Sequence, residues 1–195
     1  MPNKYKYDKQ LEEMNIEEML SITGKREESF RMMVSFLKEK RNAVIVETGC
    51  ARVENNYEGD GMSTLIFDSF VESNGGSLYS VDISHDSVNF ALSKITSNRT
   101  KIVCEDSVSF LHKFSNKIDL LYLDSYDLDP ENPHPSSMHH IYELLAVSKC
   151  LKKGTMIVVD DNLSEEIGKG KYIADYLSKI GIPMIYSGYQ QIWKL

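Results

Sequence analysis

Acidic residues recur in this chain where short apolar runs stop: Glu47, Asp82, Glu105 with Asp106, Asp124, and Asp160-Asp161-Asn162. Side chains of this kind accept hydrogen bonds, hold cations and exchange protons. The first run continues into E47-T-G-C-A-R and, after a long loop, into G59-D-G-M-S-T64. Gly49, Gly59 and Gly61 permit tight backbone turns and close approach of a ligand. The spacing is not G-x-G-x-x-G, so a pyrophosphate cradle has little support. Asp82 is suited to accept hydrogen bonds from both hydroxyls of a ribose. Asp106 either meets an adenine amino group or only caps the helix that follows it.

Several carboxylates in one place repel the phosphates of NAD or ATP and attract a positively charged ligand. A phosphate-free nucleoside carrying a sulfonium and an α-ammonium suits such a lining, and the pattern points to S-adenosylmethionine. The segment 126–140, Y-D-L-D-P-E-N-P-H-P-S-S-M-H-H, is long for a strand-to-helix connection and holds three histidines. Imidazole titrates near neutral pH, which makes His134 the first and His139 the second candidate for a general base, against an ordinary surface or packing role. E165-E-I-G-K-G-K171 reads as a flap whose Lys169 or Lys171 meets an acidic acceptor, or as a solvated turn. Cys50, Cys104 and Cys150 lack the short spacings of zinc or redox sites and read as reduced thiols.

The elements that position these groups follow from hydrophobic period. Apolar runs at 43–47, 77–82, 100–104, 118–124 and 155–160 read as buried strands. Amphipathic windows at 63–74, 84–97, 106–113 and 137–151 read as the helices between them, each opened by a Ser or Asp cap. Recurring β-α units imply right-handed crossovers and a parallel sheet covered on both faces. A helix over 169–180 then leads to strands at 182–186 and 189–193, joined through Ser187-Gly188 as a hairpin, so the last strand runs antiparallel. The expected fold is α/β, a Rossmann-like three-layer sandwich with a seven-stranded, mostly parallel sheet. Residues 1–42, with helix patterns at 8–20 and 25–39, are set apart as an extension that forms a lid, a dimer arm or an extra packed layer. Residues 43–195 form the main domain.

Composition bounds the partners. With 22 basic and 29 acidic residues the net charge is −7, so the overall field repels nucleic acid. No apolar window is long enough for a membrane helix and no signal core follows the first basic residues, so a cytoplasmic location and no membrane partner are expected. The terminal hairpin and its edge are compatible with a homodimer.

From about residue 43 onward, the E-T-G start and the G-D-G-x-S-T continuation resemble the class I S-adenosylmethionine-dependent methyltransferases. On that resemblance Glu47 and Gly49 match the first-strand motif at the methionine part of the cofactor, Asp82 the ribose acid, and Asp106 in C-E-D-S the adenine side. Gly61, Ser63, Ser107 and Asp124 complete the implied cofactor set, while the insertion at 51–60 interrupts the usual tight glycine loop. Y122-L-D124 and V159-D-D161-N162 resemble the metal ligands of divalent-cation-dependent catechol and caffeoyl-CoA type O-methyltransferases. Asp124, Asp161 and Asn162 would then hold magnesium or manganese, and Asp124 and Asp161 would serve catalysis. Those enzymes carry a lysine three residues after the first aspartate, where this chain has Asp127 followed by Asp129. Metal activation replaces that lysine, or Asp127 or Asp129 joins the cation shell, or the chemistry has been lost. The resemblance implies methyl transfer to a hydroxyl of a small molecule, such as a sugar or natural product. A metal-independent methyltransferase, an aminopropyl-transferase-like enzyme and a catalytically silent cofactor-binding protein are the alternatives. D124-S-Y-D127 in place of an N-P-P-Y-like tetrapeptide disfavours adenine or glutamine amino groups as acceptors.

Overall fold

The computed structural model describes residues 14–54, 56, 58, 59 and 62–195. A seven-stranded sheet runs β3-β2-β1-β4-β5-β7-β6. Its strands are β1 Val44–Thr48, β2 Ser77–Asp82, β3 Thr100–Cys104, β4 Leu120–Leu123, β5 Met156–Val159, β6 Met184–Ser187 and β7 Gln191–Lys194. The pairs β1–β2, β2–β3, β1–β4 and β4–β5 are parallel, and β7 is antiparallel to both β5 and β6. The expected seven strands, parallel except for the last, are the ones observed.

Alternation along the strands sends side chains to two cores. On one face Ile45, Leu78, Tyr122, Val158 and Ile192 pack under α1 Ile16–Leu20, α2 Glu27–Lys38 and α3 Met62–Asn74. On the other, Val46, Leu121, Leu123, Val159 and Trp193 pack under α6 His134–Val147 and α7 Lys171–Lys179, with Leu111 of α5 Ser107–Lys113. The α4 helix, His85–Lys94, packs Val88 and Ala91 beside Met62 and Leu65 of α3.

The segment set apart in the sequence as 1–42 places α2 inside the first core. Phe30, Met33, Val34 and Leu37 are buried there, and the Phe30 ring stacks on Tyr122 of β4 at 5.9 Å. Positions 8–13 of the first helix pattern lie outside the described residues. Asn15 opens α1 with a capping box to Glu18.

Two helix boundaries moved for identifiable reasons. The α4 helix ends at Lys94, before position 97, because the buried Asp68 carboxylate takes the Thr96 and Ser97 N–H groups and the Thr100 hydroxyl. Helix α6 starts three residues before the expected 137, with Pro135 in its first turn, where a missing N–H is harmless. The two histidines at 139 and 140 therefore fall beyond the first turn.

Candidate active site

The carboxyl ends of β1, β2, β4 and β5 open into a crevice of about 340 Å³. In a parallel sheet of this kind the crevice at the strand ends is where ligands bind. Asp82, Asp124, Asp127, Asp161 and Glu58 line it against three cations, Arg26, Arg52 and Lys169.

Asp82 ends β2 and accepts hydrogen bonds from the backbone N–H groups of Cys50, at 3.1 Å, and Ser84, at 2.8 Å. It pairs with no cation among the described residues. Beside it Ile83 is 73 % exposed in the same crevice, an unusual position for a large aliphatic side chain next to an acid. Gly49 closes the floor at φ 80°, and a β-carbon there would lie 2.6 Å from the Asp124 carbonyl oxygen. Only glycine lets the ends of β1 and β4 approach this closely.

Glu47 does not reach the crevice. Its carboxylate lies wholly buried under α3, accepting from Thr64 Oγ1 at 2.8 Å and Ser80 Oγ at 2.5 Å, with Oε1 left without a partner. Burial pushes its pKa up to about 7 against the hydroxyls around it. Ser63 is also buried, and its hydroxyl is one of those that act on Glu47. Gly61 lies outside the described residues. Asp106 caps α5 by accepting from the Ser109 N–H at 2.8 Å, and it is not a crevice residue. Ser107 is buried against His139, Oγ to Nε2 2.9 Å.

The acceptor-side acids are arranged differently. Lys169 is 1 % exposed, and its ammonium donates to Asp124 Oδ1 at 2.7 Å and to the Asp124 carbonyl at 3.3 Å, and pairs with Asp161 Oδ2 at 2.9 Å. Arg26, reaching in from the turn before α2, donates to Asp160 Oδ2 at 2.7 Å, Asp161 Oδ1 at 3.0 Å and the Glu58 carbonyl. Tyr122 and Gln190 also donate to Asp160. The Arg26 guanidinium lies 4.5 Å from the centre of the Tyr189 ring. Burial and a hydrogen bond to Asp161 push the Tyr189 hydroxyl up to about 12.

Charge within this group is shared. Burial opposes the ammonium of Lys169, yet Asp124 and Asp161 hold its pKa above the usual lysine range. Burial raises the Asp124 pKa, with Asp160 and Asp161 adding to the rise against the pull of Lys169. Asp161 is held low by Lys169, Tyr189 and Arg26 although burial works the other way. Two non-glycine residues adopt left-handed backbone here, Tyr126 at φ 32° and Asp161 at φ 52°. Such conformations persist where surrounding contacts impose them.

Asn162 is committed to backbone. Its Nδ2 donates to the Val159 and Asp160 carbonyls and its Oδ1 accepts from the Gly170 N–H at 2.9 Å. The triad of Asp124, Asp161 and Asn162 therefore does not fit a divalent cation: an ammonium stands between the two acids and the amide faces the chain. Among the described residues no cluster of His, Cys, Asp and Glu has the arrangement of a metal site. Asp127 pairs instead with Arg52 at 3.0 Å.

The histidines divide. His134 is exposed and bonds through Nδ1 to the Tyr172 hydroxyl, away from the crevice. His139 is half-buried behind it, with Tyr126 at a ring distance of 5.4 Å and the buried Glu143 at 3.4 Å. Glu143 in turn accepts from the Ser125 hydroxyl of the crevice at 2.7 Å. The hydrogen bond from His139 to Glu143 raises the imidazole pKa.

The sequence missed Arg26, Tyr189 and Ile83. The sequence offers Lys169 as a flap residue meeting an acidic acceptor or as part of a solvated turn, whereas the acids it meets are Asp124 and Asp161 of the chain itself. Its flanking glycines were the usable signal: a β-carbon at Gly168 would meet Asn162 Oδ1 at 2.4 Å, and one at Gly170 would meet Gln191 Oε1 at 2.3 Å. These glycines let the segment clamp onto Asn162 instead of moving freely.

Residues 58–162, more than half of the chain, match the family described as methyltransferase domain. The chain belongs to this methyltransferase-domain family. No curated protein matches the sequence. Among solved structures, the MycE methyltransferase from the mycinamycin biosynthetic pathway, in complex with Mg and SAH, is similar with a TM-score of 0.63 and 15 % identity, over 93 % of this chain and 54 % of that one. This methyltransferase-domain chain thus spans about half the length of MycE. The calicheamicin methyltransferase CalS11 is similar with a TM-score of 0.60 and 10 % identity, over 87 % and 79 % of the two chains. The SAH-bound Podospora anserina methyltransferase PaMTH1 has a TM-score of 0.59 and 13 % identity, over 92 % and 86 %. The fold is the Rossmann-like one of S-adenosylmethionine-dependent methyltransferases. No described helix is long and apolar enough to cross a membrane.

Proposed function

We propose that the protein transfers a methyl group from S-adenosylmethionine to a hydroxyl of a small molecule, without a divalent cation. The observation that carries this reading is the crevice lined both by Asp82, which pairs with no cation among the described residues, and by the Lys169-bound Asp124. Asp82 has its carboxylate anchored by two N–H groups and is the group assigned to the ribose hydroxyls. Ile83 offers an apolar face for the adenine. The excess of carboxylates over cations in the lining suits a sulfonium and disfavours phosphates. Glu47 acts from beneath, positioning α3 through Thr64 and the end of β1, and is not a direct contact. When bound, S-adenosylmethionine supplies an electrophilic methyl whose sulfur leaves as a neutral thioether.

On the acceptor side Asp124 is the proton acceptor. It faces the crevice, and burial keeps its carboxyl pKa high, so it takes a proton more readily than an ordinary aspartate. The acceptor O–H bond breaks toward Asp124 as the O–CH₃ bond forms, and the proton then passes to solvent. Lys169 has its three donor directions spent on Asp124 and Asp161, so it fixes the acids and leaves the acceptor to them and to Tyr189. The enzyme's contribution is alignment in a confined site. The size of the crevice and the acidic rim support a small, uncharged or cationic acceptor and disfavour RNA. MycE and CalS11, named for natural-product chemistry, support a natural product or sugar as the acceptor class.

Calorimetric titration with S-adenosylmethionine and S-adenosylhomocysteine tests the cofactor half; folded protein with affinity for neither overturns the reading. Transfer of labelled methyl to a panel of small hydroxyl compounds in the presence of EDTA tests the acceptor half. Turnover that appears only with added Mg²⁺ or Mn²⁺ overturns the metal-free part.

A further inference from the structure

The ends of β4 and β5 bring Asp124 and Asp161 to either side of one point, and that point holds the Lys169 ammonium. The segment that delivers it is fastened at each step. The Lys169 N–H bonds to the Asp161 carbonyl at 3.2 Å, Asn162 and Gly168 form a bridge, the Ser137 hydroxyl donates to the Gly168 carbonyl at 2.6 Å, and Asn162 Oδ1 takes the Gly170 N–H. The residue that resembles a metal ligand thus holds the loop that brings in the lysine. On the far side Arg26 neutralises Asp160 and the other oxygen of Asp161. A divalent ion entering between Asp124 and Asp161 would lose ligand atoms to Lys169 and be repelled by it at ion-pair distance.

We infer that Lys169 is a resident cation standing where metal-dependent methyltransferases place a divalent ion, and that its removal uncovers a latent metal site formed by Asp124 and Asp161. Lys169 acts through those two carboxylates and is a positioning residue. The consequence for catalysis rests on the methyl-transfer reading above, but the metal-binding behaviour does not.

The probe is Mn²⁺ alone, followed through the paramagnetic resonance signal of the free ion at neutral pH. Wild-type protein is expected to leave that signal unchanged up to millimolar concentrations. Lys169→Ala is expected to bind Mn²⁺ about tenfold or more tightly than wild type, since ligand charge sets affinity at oxygen sites. Adding Asp161→Asn to that variant abolishes the gain, and Lys169→Arg, which keeps the charge, shows none. Mn²⁺ also raises the melting temperature of Lys169→Ala and leaves that of wild type in place. If Lys169→Ala does not fold, Lys169→Gln, which keeps most of the buried stem, is held to the same criterion. Wild-type binding in the micromolar range that Asp161→Asn removes, or a folded Lys169 variant with no gain in Mn²⁺ affinity, overturns the inference. Failure of the methyl-transfer reading shows separately, as absence of S-adenosylhomocysteine affinity in wild type.

Discussion

At the end of β2, Asp82 is held by two backbone N–H groups and stays open to a ligand, whereas at the ends of β4 and β5 three acids share Arg26 and Lys169 in a nearly closed network. The same residue type at equivalent strand ends therefore serves two purposes. Backbone donors satisfy a carboxylate without cancelling its charge, so Asp82 keeps its attraction for a cationic ligand and for hydroxyl donors. Buried cations cancel charge, so the acceptor side becomes a rigid fixture whose remaining reactivity is the raised Asp124. Burial of such a network brings stability only while every partner is in place.

Breaking the closed half should have the largest effect. Arg26→Ala leaves Asp160 buried without its cation and is expected to lower unfolding free energy by about 3–5 kcal/mol, measured by urea denaturation. A loss below about 1 kcal/mol would show that the two halves are not held in different ways.

The buried acid under the open half gives the next largest effect, and it depends on pH. The folded pKa of Glu47, about 7, lies above its ordinary carboxylate value, so the folded state binds more protons between those two values. Stability contributed at this position falls as pH rises from about 4.5 to about 7. Glu47→Gln keeps an acceptor for Thr64 and Ser80, and relative to wild type should gain up to about 3 kcal/mol at pH 8 and little at pH 4. His140 acts in the opposite sense: burial lowers its pKa to about 4, the unfolded chain binds the proton first, and stability falls as pH drops from about 6.5 toward 4. Denaturation of wild type and Glu47→Gln across this range separates the two groups, and parallel curves would refute the role of Glu47.

Asp82→Ala sharpens the comparison from the ligand side. S-adenosylhomocysteine affinity should fall by about 10- to 100-fold in calorimetry, the worth of about one charge-assisted hydrogen bond to the ribose. The change in stability should be smaller than for Arg26→Ala. Ile83→Ala is the mildest: its apolar surface should be worth about 1 kcal/mol of cofactor affinity, or several-fold. An unchanged affinity would remove Ile83 from the adenine contact.

The sheet was legible in the sequence because period and burial are local properties. β2 and β3 match the expected residues, and the other strands differ by one or two positions at most of their ends. Asp82 was legible for the same reason, since a polar residue closing an apolar run at a strand end is visible in one dimension. The partners of the acids were not. Arg26 sits 134 positions before Asp160, in a window whose period announced only a helix. Lys169 between two glycines looked like a free loop, because nothing in the sequence shows that Asn162 fills the space a β-carbon would need. The metal reading meets its obstacle at this point: the ligand residues can be counted in the sequence, but the Lys169 ammonium that stands between Asp124 and Asp161 cannot.

The pairing of Arg26 with Asp160 also sets a condition on assembly. Contacts this distant along the polymer form late and slowly, because a large loop must close before they return any favourable energy. During synthesis the early part of the chain emerges well before the segment carrying its partner. The acids of β5 thus reach electrical balance only once the segments carrying Arg26 and Lys169 are both available, which ties maturation of the crevice to the folding of the whole sheet.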